Sequence, residues 1–189
     1  MKRAALSALM ITALLLTGCG GAETEERLER RQAELAAAEE ISFTAHITAD
    51  LGDEAFLCTL ACCATQETVM AEVTEPEILA GIRAVLQDGD ALLQYDGVEL
   101  VIGAGLAQSA VNPMTAVPLF FDALRTGYVQ RTWSEQGEQG ALTAAEIYVS
   151  DDYALTMYFE AETLIPVYAV LAADGETLIS CEIQSFVSG

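Results

Sequence analysis

The chain has 189 residues, of which 52% are apolar, and it carries 29 acidic side chains against 8 basic ones. This length fits a single domain, and the apolar content is sufficient for a sizeable core. Nucleic acids and anionic lipid headgroups are bound through Lys and Arg. The acidic balance therefore excludes a nucleic-acid-binding role, and it excludes membrane attachment by electrostatics alone.

The N-terminus has the pattern of a secretory signal. Lys2 and Arg3 precede an apolar run from Ala4 to Leu16, which are the charged and hydrophobic regions of such a signal. The run is shorter than the ~20 residues that a membrane-spanning helix needs. It ends in Leu16-Thr17-Gly18-Cys19, which resembles the lipobox of bacterial lipoproteins.

The lipobox resemblance implies cleavage before Cys19 and attachment of diacylglycerol to its sulfur. We therefore expect a signal peptide over residues 1–18, a lipidated tether over 19–24 and one domain over 25–189. Without Lys2 and Arg3 the chain keeps 6 basic residues against 29 acidic ones, a net charge of −23, so the lipid must supply the attachment to the membrane. The expected location is extracytoplasmic, on the outer leaflet of the cytoplasmic membrane where the envelope has a single membrane.

The first part of the domain is predicted to be a helix followed by strands. Helical spacing from Thr24 to Glu40, with Leu28 and Leu35 on one face, indicates either a solvated spacer or a helix packed on the following sheet. The period then changes to two, as in half-buried strands joined by short acidic-Gly turns. The predicted strands are Ile41–Asp50, Ala55–Ala64, Thr68–Thr74, Gly81–Gln87, Ala91–Tyr95 and Val98–Ile102.

A second helix interrupts the strands. Residues 103–116 are rich in Gly, Ala and Ser and are predicted to form a loop. Val117 to Thr126 then has helical spacing, with Pro118 suited to a first turn and Gly127 to the C-terminal cap. Strand patterning resumes over Tyr128–Trp133, Ala141–Val149, Tyr153–Phe159, Pro166–Ala172 and Thr177–Val187. The chain is therefore predicted to be an α+β protein, one long antiparallel meander with a helix in its middle.

Short motifs at turns and strand ends recur across nearly the whole mature chain. They are Val73-Thr74-Glu75-Pro76, Gln94-Tyr95-Asp96-Gly97-Val98-Glu99-Leu100, Tyr158-Phe159, Thr163-Leu164-Ile165-Pro166 and Asp174-Gly175-Glu176-Thr177. Together with the order of elements, they resemble the LolA and LolB lipoprotein carriers and their mycobacterial lipoprotein relatives. The resemblance implies a sheet curved into an incomplete barrel, with one or two helices on its concave side over an apolar cavity that takes acyl chains.

The chain departs from the carriers after Pro76. Their basic-aromatic strand start is replaced by Glu77-Ile78-Leu79-Ala80-Gly81, with only Arg83 beyond it. The ligand-gating arginine of the carriers therefore has no counterpart at this place. Together with the anchor on Cys19, this favours a membrane-held member over a shuttle.

The apolar face of the second helix has two interpretations. Phe120, Phe121 and Leu124 are either core residues or the lining and gate of a ligand cavity. In the second case, Ile82, Leu86 and Tyr95 form the opposing wall. Such a pocket would be apolar with few polar groups, as ligand sites mostly are.

Patterns for catalysis and metal binding are weak. The only histidine, His46, lies on the polar face of a strand, and the chain has no Gly-x-Ser-x-Gly nucleophile motif. Asp88-Gly89-Asp90 and Asp151-Asp152 lack the ligand spacing of a calcium loop. Gly103-Ala104-Gly105 lacks the lysine of a phosphate-binding loop. We therefore expect no catalytic residue, metal or cofactor.

Four further cysteines, Cys58, Cys62, Cys63 and Cys181, have two interpretations. On one strand, Cys58 and Cys62 would lie ~13 Å apart, too far for a disulfide. One of them could still pair with Cys181 across strands. The favoured interpretation is that all four are free, small apolar side chains.

Two non-catalytic functions are compatible with these features, and a third, hydrolysis of envelope polymers, stays open without a residue pattern that favours it. The first is a lipid-anchored envelope protein that binds a lipid, or the acyl chains of another lipoprotein, in a half-barrel cavity. The second is a non-catalytic protein-interaction or signalling module that uses the sheet as a scaffold, with an acidic surface that meets a basic envelope partner. A void among the candidate residues favours the first function, and a packed interior favours the second.

Overall fold

The computed structural model describes residues 20–50, 55–88, 90–104, 112–138 and 140–189. The predicted signal peptide and the lipid attachment site Cys19 lie outside these residues. Helix α1 spans Gly20–Ala37 and helix α2 spans Pro113–Thr126. Among the described residues, neither helix combines the length and the apolarity that a membrane span requires.

Eleven strands follow the predicted order. They are β1 (Ile41–Asp50), β2 (Ala55–Ala64), β3 (Thr68–Glu75), β4 (Arg83–Gln87), β5 (Asp90–Tyr95), β6 (Val98–Ala104), β7 (Val129–Gly137), β8 (Gly140–Tyr148), β9 (Ala154–Glu160), β10 (Pro166–Ala173) and β11 (Glu176–Ser188). A 3₁₀ turn over Glu77–Leu79 connects β3 to β4.

All strands belong to one open antiparallel sheet, in the order β6-β5-β4-β3-β2-β1-β11-β10-β9-β8-β7. Neighbours in sequence pair with each other within β1–β6 and within β7–β11. The two halves join where β1 pairs with β11, with Ala45 opposite Ile183 and Ile47 opposite Cys181. β6 and β7 are therefore the two outermost strands of the sheet, and the predicted antiparallel meander is confirmed.

The core lies on one face of this sheet. Alternate residues of β1 from Ile41 to Ala49 are buried there, because successive side chains of a strand point to opposite faces. Both helices pack on the same face, and Leu28 and Leu35 of α1 are each 1% exposed within the core. The packed helix is thus the correct interpretation of the N-terminal segment. It begins at Gly20, so most of the predicted tether is helical.

Two acidic-Gly turns have the predicted conformation. Asp96 and Gly97 have φ of 49° and 77°, and Asp174 and Gly175 have φ of 51° and 82°. Positive φ at both central residues defines the type I′ turn, whose twist matches that of the strands it joins. The Asp96-Gly97 turn sets the register of β5 against β6.

The predicted start of the second helix was wrong. Helix α2 begins at Pro113 rather than Val117, because the Asn112 side chain accepts a hydrogen bond from the Met114 N–H (2.9 Å) and caps the first turn. Proline is suited to the first helical position, where its missing N–H would be unpaired in any case. Pro118 therefore lies inside the helix and not in its first turn.

Candidate functional site

Helix α2 presents its predicted aromatic face to the sheet. Phe120, Phe121 and Leu124 are all buried, with Phe121 only 2% exposed. The ring centroid of Phe121 lies 5.1 Å from that of Phe43 on β1 and 6.3 Å from that of Phe186 on β11. Aromatic pairs of this kind contribute about 0.5–1.5 kcal/mol beyond their burial. These three α2 side chains are therefore packed core residues in this structure.

The residues predicted to oppose them do not share one environment. Leu86 of β4 is buried in the same core, and Ile82 packs half-buried at its margin. Tyr95, at the end of β5, is 55% exposed. The structure thus brings Leu86 and Ile82 towards α2, while Tyr95 lies farther out on the sheet.

Apolar surface continues past α2 towards the β6 edge. Helix α2 lies mainly over β3 and β4. Beyond them, Leu93 lies opposite buried Ala84 on β4 and opposite Leu100 on β6, and Tyr95 lies opposite Val98. This register places four side chains on the core-facing side, which we call the inner-edge patch: Leu93, Tyr95, Val98 and Leu100. Val98 and Leu100 are 69% and 61% exposed. Apolar surface of this kind marks ligand or interaction sites.

Long-range hydrogen bonds fasten the C-terminal end of α2. Gln32 Nε2 of α1 donates to the carbonyl oxygens of Leu124 (2.9 Å) and Gly127 (3.2 Å), and Arg125 donates to the Thr65 carbonyl oxygen (2.6 Å). The first two bonds satisfy carbonyls that a helix end leaves unpaired. Sequence reasoning missed Gln32, because its partner Leu124 is 92 residues away. For Arg125, the one usable sequence signal was its position in the last turn of the helix, where a cation interacts favourably with the helix dipole.

Comparison with known proteins gives structural matches only. No protein-family model matches the sequence, and no curated protein matches it. An uncharacterized conserved protein from Thermus thermophilus has a similar structure, with a TM-score of 0.53 and 10% identity over 87% of this chain and 88% of that one. A putative outer membrane lipoprotein-sorting protein domain from Vibrio parahaemolyticus matches with a TM-score of 0.50 and 11% identity, over 89% of this chain and 92% of that one. A LolA superfamily protein from Nitrosomonas europaea matches with a TM-score of 0.47 and 11% identity, over 82% and 90%.

The fold is LolA-like. The open sheet is thus an incomplete barrel, and the face that carries the helices and the inner-edge patch is its concave face. The fold that the sequence motifs implied is confirmed. Identities of 10–11% carry no more than the fold.

On the outer, convex face of the LolA-like sheet, His46 lies in a recess of about 690 Å³ bordered by Leu57 and Pro76. Its Nδ1 is 3.1 Å from the Thr59 hydroxyl, which donates to Glu75 at 3.3 Å. The Thr59 hydroxyl therefore lies within hydrogen-bond distance of both side chains, and the tautomer of the imidazole sets which of His46 and Thr59 donates to the other. Within the described parts of the chain, no group of three or more His, Cys, Asp or Glu residues is placed to hold a metal ion.

The four cysteines beyond Cys19 are free. Cys58 and Cys181 both lie opposite Ile47, one on each neighbouring strand. Two strand spacings separate them by roughly 9.5 Å, beyond the reach of a disulfide. Burial raises the pKa of the Cys58 thiol to about 11 and that of Cys181 to about 12. These thiols are therefore neutral and unreactive at physiological pH. Cys62 is also buried, whereas Cys63 is half-buried.

Proposed function

We propose that this protein is an extracytoplasmic lipoprotein, held to the membrane by a lipid on Cys19, whose concave face binds an apolar ligand. The ligand class is a free lipid or the acyl chains of another lipoprotein. The signal pattern that ends in Leu16-Thr17-Gly18-Cys19 supports the location and the anchor. The LolA-like fold supports the ligand class, because the Vibrio parahaemolyticus domain with this fold is described as lipoprotein-sorting.

The observation that carries the ligand proposal is the inner-edge patch. Tyr95, Val98 and Leu100 each leave more than half of their surface exposed on the concave face. Leu93, the fourth residue of the patch, lies opposite buried Ala84 of β4, so an acyl chain laid along the patch would extend the apolar interior. Burial of apolar surface contributes about 25 cal/mol per Å². Covering these side chains therefore contributes favourable free energy to the binding of an apolar chain at this patch.

Deeper insertion requires helix α2 to move. Exposing Phe120, Phe121 and Leu124 would cost about 1.5–3 kcal/mol each, or roughly 5–9 kcal/mol in total. That cost is comparable with the whole stability of a domain, about 5–15 kcal/mol, so the ligand-free protein keeps α2 in place. An acyl chain with about 14 methylenes regains ~11 kcal/mol when fully buried. An acyl chain can therefore replace the α2 side chains, and the packed interior is the ligand-free state of the site.

Lipid analysis of two matched variants tests this proposal. The full chain is expressed with its signal in a bacterial host, extracted in mild detergent, and examined by native mass spectrometry for non-covalent lipid. Tyr95→Asp places a charge on the inner-edge patch and should reduce the bound lipid at least about fivefold, since desolvating a carboxylate is costly. Tyr168→Asp is the control, because Tyr168 is also a partly exposed strand tyrosine but lies opposite Glu182, outside the concave face.

The same samples test the anchor. The N-terminal peptide should carry diacylglycerol on Cys19, and Cys19→Ala should remove the protein from the membrane fraction. A wild-type protein that holds no lipid and takes none from phospholipid vesicles would contradict the ligand proposal. The function would then be the protein-interaction module, which the packed interior favours.

A further inference from the structure

The two outermost strands of the sheet are unequally protected. β7 carries Arg131, which pairs with Glu146 (2.7 Å) and lies over the Trp133 ring at 5.1 Å, and α1 packs beside this strand. Charged and covered edges of this kind resist pairing with another chain. β6 has the sequence Val98-Glu99-Leu100-Val101-Ile102-Gly103-Ala104, with a single charge. Within the described part of the chain, it pairs with β5 alone.

β6 exposes apolar side chains on both faces of the sheet. Val98 and Leu100 are exposed on the concave face, and Val101 is 60% exposed on the convex face. Val101 is also the last of a row of uncharged residues that crosses five strands on the convex face. Each residue of the row lies opposite the next one on the neighbouring strand: Cys63, Met70, Val85, Leu92 and Val101. An apolar edge strand with unpaired backbone groups is a template for an added strand.

The turn that precedes β6 shows which of its backbone groups β5 does not use. In the type I′ turn at Asp96-Gly97, the flanking residues Tyr95 and Val98 form a hydrogen-bonded pair. Backbone groups of an antiparallel strand alternate between its two sides. The N–H and C=O of Glu99 therefore point away from β5, towards the open side of the edge.

The charges around β6 indicate which kind of segment would pair with this strand. Acidic residues surround the edge at Asp88, Asp90, Asp96 and Glu99. The single cation within residues 83–104 is Arg83, and it is already paired with a glutamate of β3 at 2.6 Å. A second copy of this chain would bring a second Glu99 and its acidic neighbours against the same set, and facing like charges destabilise a strand pair.

We infer that β6 accepts an extended segment of a partner protein as a twelfth strand. The segment carries a basic side chain opposite Glu99 and an apolar one opposite Val101, with a second basic residue two positions further on, towards Asp90. Its backbone bonds the groups of Glu99 that β5 does not use, and its other face covers Leu100. This partner site touches the inner-edge patch at Leu100, but it depends on the backbone and the side chain of Glu99, which the lipid proposal does not use.

A designed peptide provides the probe. The lysine peptide, acetyl-Thr-Lys-Val-Val-Val-Lys-Thr-amide, has the inferred pattern, and a glutamate peptide replaces both lysines. Binding of fluorescent forms to the full chain in detergent is measured by anisotropy. The lysine peptide should bind at least about tenfold more tightly than the glutamate peptide. Glu99→Lys should lower that preference at least about fivefold, because a like charge then faces the first lysine of the peptide.

Backbone pairing is tested with proline. Glu99→Pro removes an N–H that β5 does not use, so it leaves the sheet intact and should weaken the lysine peptide at least about tenfold. Glu99→Gln keeps that N–H. It should weaken binding of the lysine peptide about two- to fivefold, because the charge pair is lost. The control is Gln136→Pro, the equivalent position beside the turn of the opposite edge strand, which should leave binding unchanged.

Three results would overturn the inference. They are equal binding of both peptides, equal loss in Glu99→Pro and Gln136→Pro, and no binding up to about 1 mM peptide. Sedimentation of the wild type is measured as well, because a dimer that Glu99→Pro dissociates would make a second copy the occupant. If circular dichroism shows that Glu99→Pro is unfolded, the inference is tested by the peptide binding of Glu99→Lys instead. Bound lipid in Glu99→Pro should stay at the wild-type amount, so failure here is distinct from failure of the lipid proposal.

Discussion

Replacing Phe121 with alanine tests whether the interior is packed as the structure has it. The ring is 2% exposed and stacks against Phe43 at 5.1 Å. Truncating a buried phenylalanine costs about 3–5 kcal/mol, because its transfer free energy is lost and a cavity remains. At about 2–4 °C per kcal/mol for a domain of this size, the unfolding midpoint should fall by roughly 6–20 °C.

The assay is thermal unfolding by circular dichroism on delipidated full chain. Tyr128→Ala is the control, because Tyr128 is an aromatic residue that is 73% exposed directly after α2, and its loss should cost less than about 0.5 kcal/mol. Palmitate is then titrated into both proteins. If an acyl chain replaces the α2 side chains, Phe121→Ala should bind it more tightly than the wild type does. The displacement cost of one ring, about 1.5–3 kcal/mol, is then absent.

Two results would refute this reasoning. A midpoint that falls by less than about 2 °C would mean that the ring is not packed against Phe43 and Phe186. Weaker palmitate binding by Phe121→Ala than by the wild type would mean that the ring contacts the ligand and is not displaced by it. Phe121→Asp is a poorer test, because a buried unpaired charge unfolds the core whether or not a ligand binds.

Two further predictions concern stability. Gly127→Ala should cost about 2 kcal/mol or more in urea unfolding, because its Cβ would overlap the Ala123 carbonyl oxygen. Gly137→Ala, whose Cβ would meet the flexible end of a leucine side chain at 2.8 Å, should cost less than about 1 kcal/mol, and equal costs would contradict this account. Alkaline pH should also destabilise the protein. Burial raises the pKa of Cys58 from 9.0 to about 11 and that of Cys181 to about 12, so above pH 9 the folded state holds protons that the unfolded state releases. Urea midpoints should fall between pH 9 and 11, and less so in Cys58→Ala; a flat profile would exclude a role for the buried thiols.

Local sequence was sufficient to place the strands. The alternation from Ile41 to Asp50 predicts β1 with its observed bounds, and Asp96-Gly97 predicts the β5–β6 hairpin. All eleven predicted strands are present. These signals work because side chains alternate between faces with period two, and because an acidic-Gly pair tolerates the positive φ of a tight turn.

Helix boundaries and packing were harder to predict. The start of α2 was placed four residues late, since Pro113 and Pro118 both suit a first turn and the Asn112 cap decides between them. The stripe of Leu28 and Leu35 on α1 fitted a solvated spacer as well as a packed helix. Burial of both leucines, together with the bonds from Gln32 to the end of α2, makes α1 part of the domain.

By itself, the sequence determined the order of strands, the tight turns, the acidic surface and the LolA-like fold that its motifs resemble. Only the tertiary structure decided that β1 pairs with β11, that Phe121 is packed while Tyr95 is exposed, and that, among the described residues, β6 pairs with β5 alone. The physical reason is the distance along the chain over which each of these effects acts. Periodicity and turn chemistry act over a few neighbouring residues, whereas the pairing of Ala45 with Ile183 depends on the register and burial of segments far apart in the chain.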